Sequence, residues 1–398
     1  MPLDFNQIAP QIISMGEYLK SRGDERKFAL KLAMENLSAP PMDLAKLQKR
    51  IDSAKTTWLV ADLKEPLSTR KTAPQCPEDY AVIGVDGSHI DIDRHRSEHC
   101  FLINTGGITI EYGNKPDALL FGESRLYFKD EDTSLSGSDG KKVAIEREIL
   151  GLKRNIEELR MLAARMMEMK TAVPVIGLLD GTLTLWGIIG QEYQDILIEE
   201  YINKGLIKCM DELHEACKKK PLAMGSYISF PRSTEIVNIL RVILCPHENV
   251  NCDKYCGHGE EKPCDAAGLL NDRDIFSEYL VTGERSAVFS SRSSIMKSYG
   301  NHRVNFFYMK LEGEVARMEI PQWIADNDDY VDLIHSVVLK QCELGVGYPV
   351  ALMEAHEKAV IKGAEREQFW DLVGRLLSMD NMNTTTSAKN WSKKIRWI

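Results

Sequence analysis

Two tripeptides in the chain are built for chemistry, Asp86-Gly87-Ser88 and Asp180-Gly181-Thr182. The first follows the apolar run Tyr80-Ala81-Val82-Ile83-Gly84-Val85, and the second follows Val173-Pro174-Val175-Ile176-Gly177-Leu178-Leu179. A short continuous apolar run ended by turn residues reads as a buried strand. If the two strands are neighbours in one sheet, both carboxylates project at the same edge. Hard oxygen donors of this kind suit Mg²⁺ or Mn²⁺. Two such ions about 3.5–4 Å apart can clamp the attacking and leaving oxygens of a phosphodiester displacement. Asp-Gly is also a common turn dipeptide, so the pair alone leaves a purely structural reading open.

A second cluster is soft. Cys245, Cys252, Cys256 and Cys264 lie within twenty residues, interleaved with His247 and His258, in a stretch marked as loop by Pro246, Gly257, Gly259 and Pro263. Four thiols in a loop with no core of its own resemble a metal clip, for zinc or for an iron–sulfur cluster. The spacing is neither the paired C-x₂-C of a zinc ribbon nor a ferredoxin run. The expected role is to fasten an inserted loop. The other cysteines are scattered and read as buried thiols.

The elements that must position these groups follow from the pattern. The chain has 398 residues with 43% hydrophobic and 27% charged content, which is ordinary globular composition and excludes collagen, coiled coil and general disorder. A net charge of −9 argues against indiscriminate coating of nucleic acid but leaves room for a local basic groove. No apolar run reaches the roughly 18–20 residues of a membrane span. The first residues lack the pattern of an export signal. With an odd number of cysteines, nine, this predicts a reduced, cytoplasmic setting.

Residues 1–78 read as a polar helical region, with apolar residues at helical spacing over Ile8–Leu19 and Lys27–Leu37, that closes in a linker from Lys64 to Pro77. Tyr80–Val85, Cys100–Ile103 and Ile108–Tyr112 read as three strands in meander order, the last two turning at Asn104-Thr105-Gly106-Gly107. Lys141–Lys170 is a long amphipathic helix pattern, and the strand ending in Asp180 follows it. Phe306–Leu311 and Ala316–Ile320 form a late hairpin, and helices from Tyr330 and Ala351 finish the chain. Meander, long helix, then a strand ending in Asp is the order of a ribonuclease-H-like fold, whose site takes an Asp from the first strand, an acid from the first helix and an Asp from the fourth strand. The helix offers Glu146, Glu148, Glu157 and Glu158, and periodicity does not choose among them.

At these residues the chain resembles the bacterial branch of the NurA nuclease family. The resemblance runs from Tyr80 to Glu365 in ordered blocks: Val85–Ser88, Leu179–Leu183, Tyr227–Ser233, Asp272-Arg273, Gly283–Ser286, Phe306–Tyr308, Ala316–Pro321, Gly347–Pro349 and Glu354–Glu357. It implies an α/β fold, a ribonuclease-H-like mixed sheet flanked by helices, over residues 79–365. A helical N-terminal extension precedes it, the Cys-rich loop is inserted at 245–264, and a C-terminal helix with a basic tail fills 366–398. It further implies a Mn²⁺- or Mg²⁺-dependent DNA nuclease for end resection and double-strand break repair. Such proteins act as a 5′–3′ exonuclease and single-strand endonuclease, are usually homodimers and work with a HerA-type hexameric ATPase. The family's acids fall on Asp86, Glu158 and Asp180, with Glu157 as the alternative, and its C-terminal His falls on His356. As metal ligands these four would be catalytic. Without the resemblance, His356 reads as a surface histidine beside Glu354 or Glu357. Arg232, Arg273, Arg285 and Arg317 recur in the blocks as phosphate-contact candidates, and Tyr348 as a base-stacking one. For each of these a structural role is the alternative. An inactive DNA-binding or assembly subunit of the ATPase complex is the competing function.

Overall fold

The computed structural model describes residues 4–38, 43–93, 99–137, 140–256 and 262–379. The chain divides into two compact units, and neither is one continuous stretch.

The unit formed by residues 75–227, 294–302 and 321–398 holds both Asp-Gly tripeptides. Three strands run as a meander: β1 (Tyr80–Ile90), β2 (Phe101–Tyr112) and β3 (Asp117–Tyr127). The helix α1 (Glu148–Glu168) follows, then β4 (Val175–Asp180) and β5 (Leu222–Ile228). The sheet order is β3-β2-β1-β4-β5, with β2 antiparallel to both neighbours and β4 parallel to β1 and β5. That order and polarity make a ribonuclease-H-like core of mixed strands flanked by helices. Later helices of the unit include α2 (Asp328–Leu344), α3 (Val350–Ala359) and the helix Gly363–Met379.

Three local readings are corrected. β1 does not stop at Asp86 but runs on through Gly87 and Ser88 to Ile90, paired with β2 throughout. Gly106-Gly107 is not a turn, because β2 is unbroken from Phe101 to Tyr112. These glycines allow close approach instead: a Cβ at Gly106 would lie 2.7 Å from the Ala359 nitrogen on α3, and one at Gly107 would lie 2.5 Å from the Phe121 ring. The true third strand, β3, lies at the sheet edge with most of its residues exposed, although it carries the apolar run Ala118-Leu119-Leu120-Phe121.

The two faces of β1 are covered differently. Gly84 admits the Ala351 carbonyl of α3, where a Cβ would meet oxygen at 2.2 Å. The C-terminus of α3 is tied down by Ser88 Oγ and Asn104 Nδ2, which both donate to the Ala359 carbonyl, at 2.5 and 2.7 Å. On the opposite face α1 buries Leu152, Ile156, Leu159, Leu162 and Met166.

The other unit comprises residues 1–74, 228–293 and 303–320. The N-terminal segment therefore does not stand as a separate helical extension. Ala29, Ala33 and Leu37 of the helix Phe5–Ser38 share one core with Ile239 and Leu240, Phe276, and Phe306 and Tyr308. The apolar stripe at four-residue spacing is the sequence signal for that burial. The expected hairpin exists as Val304–Lys310 and Val315–Pro321. Among the described residues, no helix is long and apolar enough to cross a membrane.

Candidate active site

Asp86 and Asp180 stand side by side. Val85 is in parallel register with Leu179, so the next residue on each strand is the aspartate, on neighbours about 4.8 Å apart. The same dipeptide solves two different problems here. Gly181 takes φ +101, a left-handed turn that ends β4 just past Asp180. Gly87 stays in the strand and leaves room for a side chain from α1. A Cβ on Gly87 would lie 2.5 Å from Glu158 Oε1 and 3.0 Å from its Cγ.

The structure thus brings Glu158 to the two aspartates. Its side chain is buried, with the residue 5% exposed, and burial pushes its carboxyl up to about 8. The Arg154 guanidinium opposes that shift, while the Asp86 and Asp180 charges reinforce it. Arg154 Nε lies 3.0 Å from Glu158 Oε1, close enough for an ion pair yet not aligned for a hydrogen bond. Glu157 points elsewhere and pairs with Arg160 at 3.0 Å. A signal for this choice was present in the sequence: Leu162 and Met166 follow Glu158 at four-residue steps, which sets it in the buried stripe. Arg154, four residues earlier, is the site residue that the sequence reading missed.

His356 arrives from α3 on the other face of β1, with Nδ1 2.8 Å from Asp86 Oδ2. Tyr348, in the loop between α2 and α3, donates its hydroxyl to Asp180 and packs edge-on against Tyr227 with ring centroids 5.3 Å apart. Burial raises the Asp180 carboxyl above the ordinary aspartate range, while the Tyr348 hydrogen bond draws it down.

The donor set is three carboxylates and an imidazole. The Asp86 charge helps raise the carboxyls of both Glu158 and Asp180, and a divalent cation would relieve that repulsion. The chemistry fits Mn²⁺ or Mg²⁺. As the side chains stand, no three His, Cys, Asp or Glu among the described residues close on a single point. Arg154 sits on Glu158 and His356 on Asp86 instead.

The remaining candidates lie in the other unit. Arg317 is 2% exposed, with its guanidinium held by Glu235 and by Glu319, the latter at 2.9 Å. Arg285 is 0% exposed beside Glu65 at 3.6 Å. A guanidinium that is buried and committed to internal carboxylates presents nothing to a phosphate, so the expectation of DNA contact is corrected for both. Arg273 stacks on Phe230, its Cζ 3.5 Å from the ring centroid, and only Arg232 is simply exposed. Cys252, Cys256 and Cys264 face one another, and burial first, then the neighbouring Cys256, pushes the Cys252 thiol up to about 11. Residues 257–261, including His258, lie outside the described residues, as does the basic tail from 380 onward. The zinc and iron–sulfur expectations gain no support from the arrangement.

Replacing Gly87 with Ala tests this packing. The added methyl must displace Glu158, and about a 100-fold loss of metal-dependent activity is expected with the fold retained. Activity within twofold of the parent protein would show that Glu158 is not needed where it lies.

No curated protein matches the chain. Among solved structures it is similar to the NurA nuclease from Sulfolobus solfataricus, at 14% identity over 94% of this chain and 95% of that one, with a TM-score of 0.46. It is also similar to a NurA with manganese, at 12% identity over 90% and 98% of the two chains and a TM-score of 0.33. A type 1 RNase H, LC9-RNase H1, is 10% identical over 42% and 71%, with a TM-score of 0.19. The family model for the NurA domain matches residues 80–361, more than two thirds of the sequence and the whole span from β1 through α3. The chain belongs to the NurA family.

Proposed function

We propose that this NurA-family nuclease is a divalent-metal-dependent deoxyribonuclease that hydrolyses phosphodiester bonds in DNA end processing. The observation that supports the reading most is the meeting of Asp86, Glu158 and Asp180 around Gly87, with His356 on one side and Tyr348 on the other. A divalent ion bound by these carboxylates would supply positive charge to the phosphate oxygens and acidify water. Asp86 and Asp180 would hold it, and Glu158 would join by exchanging Arg154 for the ion. His356 orients Asp86 through Nδ1, which leaves Nε2 as the ring atom to accept or return a proton. Tyr348 favours the ionised form of Asp180.

The same reading carries 5′–3′ exonuclease and single-strand endonuclease action, work with a HerA-type hexameric ATPase in double-strand break repair, and a cytoplasmic setting. A homodimer belongs to it as well, supported by Ile12, Met15 and Leu19, which are exposed at helical spacing on Phe5–Ser38. One observation favours the inactive-subunit alternative, namely that Arg154 already occupies the cation's place beside Glu158.

Metal binding separates the two. A carboxyl whose folded pKa exceeds its unfolded value stabilises the fold while protonated. For Glu158 that contribution is complete below 4.5 and lost as pH rises through about 8. Mn²⁺ needs the ionised form, so thermal stabilisation by Mn²⁺ should grow from pH 6.5 to 8.5, windows that bracket about 8. The growth should vanish in Glu158→Gln. Equal stabilisation of parent and variant at every pH would remove Glu158 from the metal shell and favour the inactive subunit.

A further inference from the structure

Helix α2 ends in a Schellman turn. Gly345 is the cap, and the Gly347 N–H reaches back to the Cys342 carbonyl at 2.8 Å, the bond that defines the motif. The seat between them requires a left-handed backbone and is normally filled by Gly or Asn. Here it is filled by Val346, at φ +55. A β-branched residue in that region is a steric outlier, since its Cβ crowds the backbone. Glycine stands on both sides, yet the strained seat falls on the valine. Gly345 is needed where it stands, because a Cβ there would lie 1.9 Å from the Tyr348 carbonyl oxygen, and Gly347 takes φ +106 on the other side.

No packing offsets this strain. Val346 is 97% exposed, so its side chain gives nothing to the core. Two residues further on, Tyr348 donates to Asp180. The turn therefore presents one bare apolar side chain two residues from Tyr348, whose ring packs on Tyr227, the strand partner of Asp180. Strain kept without stabilising return points to a functional contact. Apolar side chains that wedge between bases are an established means of separating or gripping a strand.

We propose that Val346 is a substrate-facing wedge that meets the nucleobases of the strand whose phosphodiester lies at Asp86 and Asp180. The proposal rests on the nuclease reading and adds the residue by which the site senses bases as well as phosphate. It makes Val346 a specificity determinant and gives it no part in the chemical step.

The test uses the full chain in Mn²⁺ with two substrates, a single-stranded oligodeoxynucleotide and bis(p-nitrophenyl) phosphate, a diester without nucleobases. Asn accepts the left-handed seat, so Val346→Asn should melt about 2–4 °C higher than the parent. At the same time the ratio of oligonucleotide to small-diester hydrolysis should fall about tenfold, chiefly through KM. Val346→Met, which keeps an apolar side chain, should hold that ratio within about threefold. An unchanged ratio in Val346→Asn would reduce the residue to a strained cap and overturn the wedge. Equal loss on both substrates would also overturn it, because the turn would then act through Tyr348 and Asp180. If the parent protein hydrolyses neither substrate, the nuclease reading falls and the wedge falls with it.

Discussion

Replacing Arg317 with Met is expected to cost the unit that contains it about 3–5 kcal/mol, because removing one partner of a buried ion pair strands the charge it neutralised. Two carboxylates would be stranded at once. Arg317 Nε and Nη2 reach Glu319 Oε1 at 3.0 and 2.9 Å, and Nη1 serves Glu235 and the Tyr308 hydroxyl. Its Cζ lies 3.6 Å from the centre of the Phe306 ring, so the charge has no route to water. The network continues from Tyr308, whose hydroxyl donates to Asp272 Oδ2 at 2.7 Å. Asp272 in turn accepts the Ile236 and Val237 N–H groups at 3.0 and 2.9 Å, and so caps the helix Glu235–Leu244 from outside. Calorimetry should show the transition of this unit about 10 °C lower in Arg317→Met. Adding Glu235→Gln and Glu319→Gln should recover most of the loss, because the stranded charges go with them. A single variant that melts with the parent protein would show that the network is decorative.

This network also shows where sequence reading stops. The blocks around Ser233, Asp272, Tyr308 and Arg317 were legible as an ordered set, but their common cause was not. They are distant in the chain and meet only in the fold, and arginines that hold buried carboxylates read locally like arginines waiting for phosphate. The catalytic side fared better for a physical reason. The order of meander, helix and strand, and the Asp at adjacent strand positions, are set by local periodicity and by sheet topology. Gly106-Gly107 misled because glycine serves both turns and close approach, and only the position of α3 distinguishes the two. The edge strand β3 was missed although Ala118-Leu119-Leu120-Phe121 is apolar, because Ile108–Tyr112 had already been read as the third strand of the meander. Tyr348 was read as a base-stacking candidate with a structural role as the alternative, and its place beside Asp180 was not legible because the two are distant in the chain.

The second large effect is catalytic. Asp86→Asn keeps a side chain of the same size that can still accept from the Gly87 N–H, at 2.7 Å in the parent, so the strand should remain intact. It removes the charge that His356 orients toward and that a divalent ion requires. About a 1,000-fold loss of cleavage is expected with little change in melting temperature. Asp180→Asn should behave alike, and the double variant should lose scarcely more than either one, as expected of groups that act as a unit.

The most direct measurement is cleavage of end-labelled single- and double-stranded DNA by the parent protein and Asp86→Asn, each in Mn²⁺, in Mg²⁺ and in EDTA. The account predicts cleavage by the parent in Mn²⁺ that disappears in EDTA and in Asp86→Asn, with both proteins folded to the same temperature. Cleavage by Asp86→Asn at the parent rate, or a parent rate indifferent to EDTA, would contradict it.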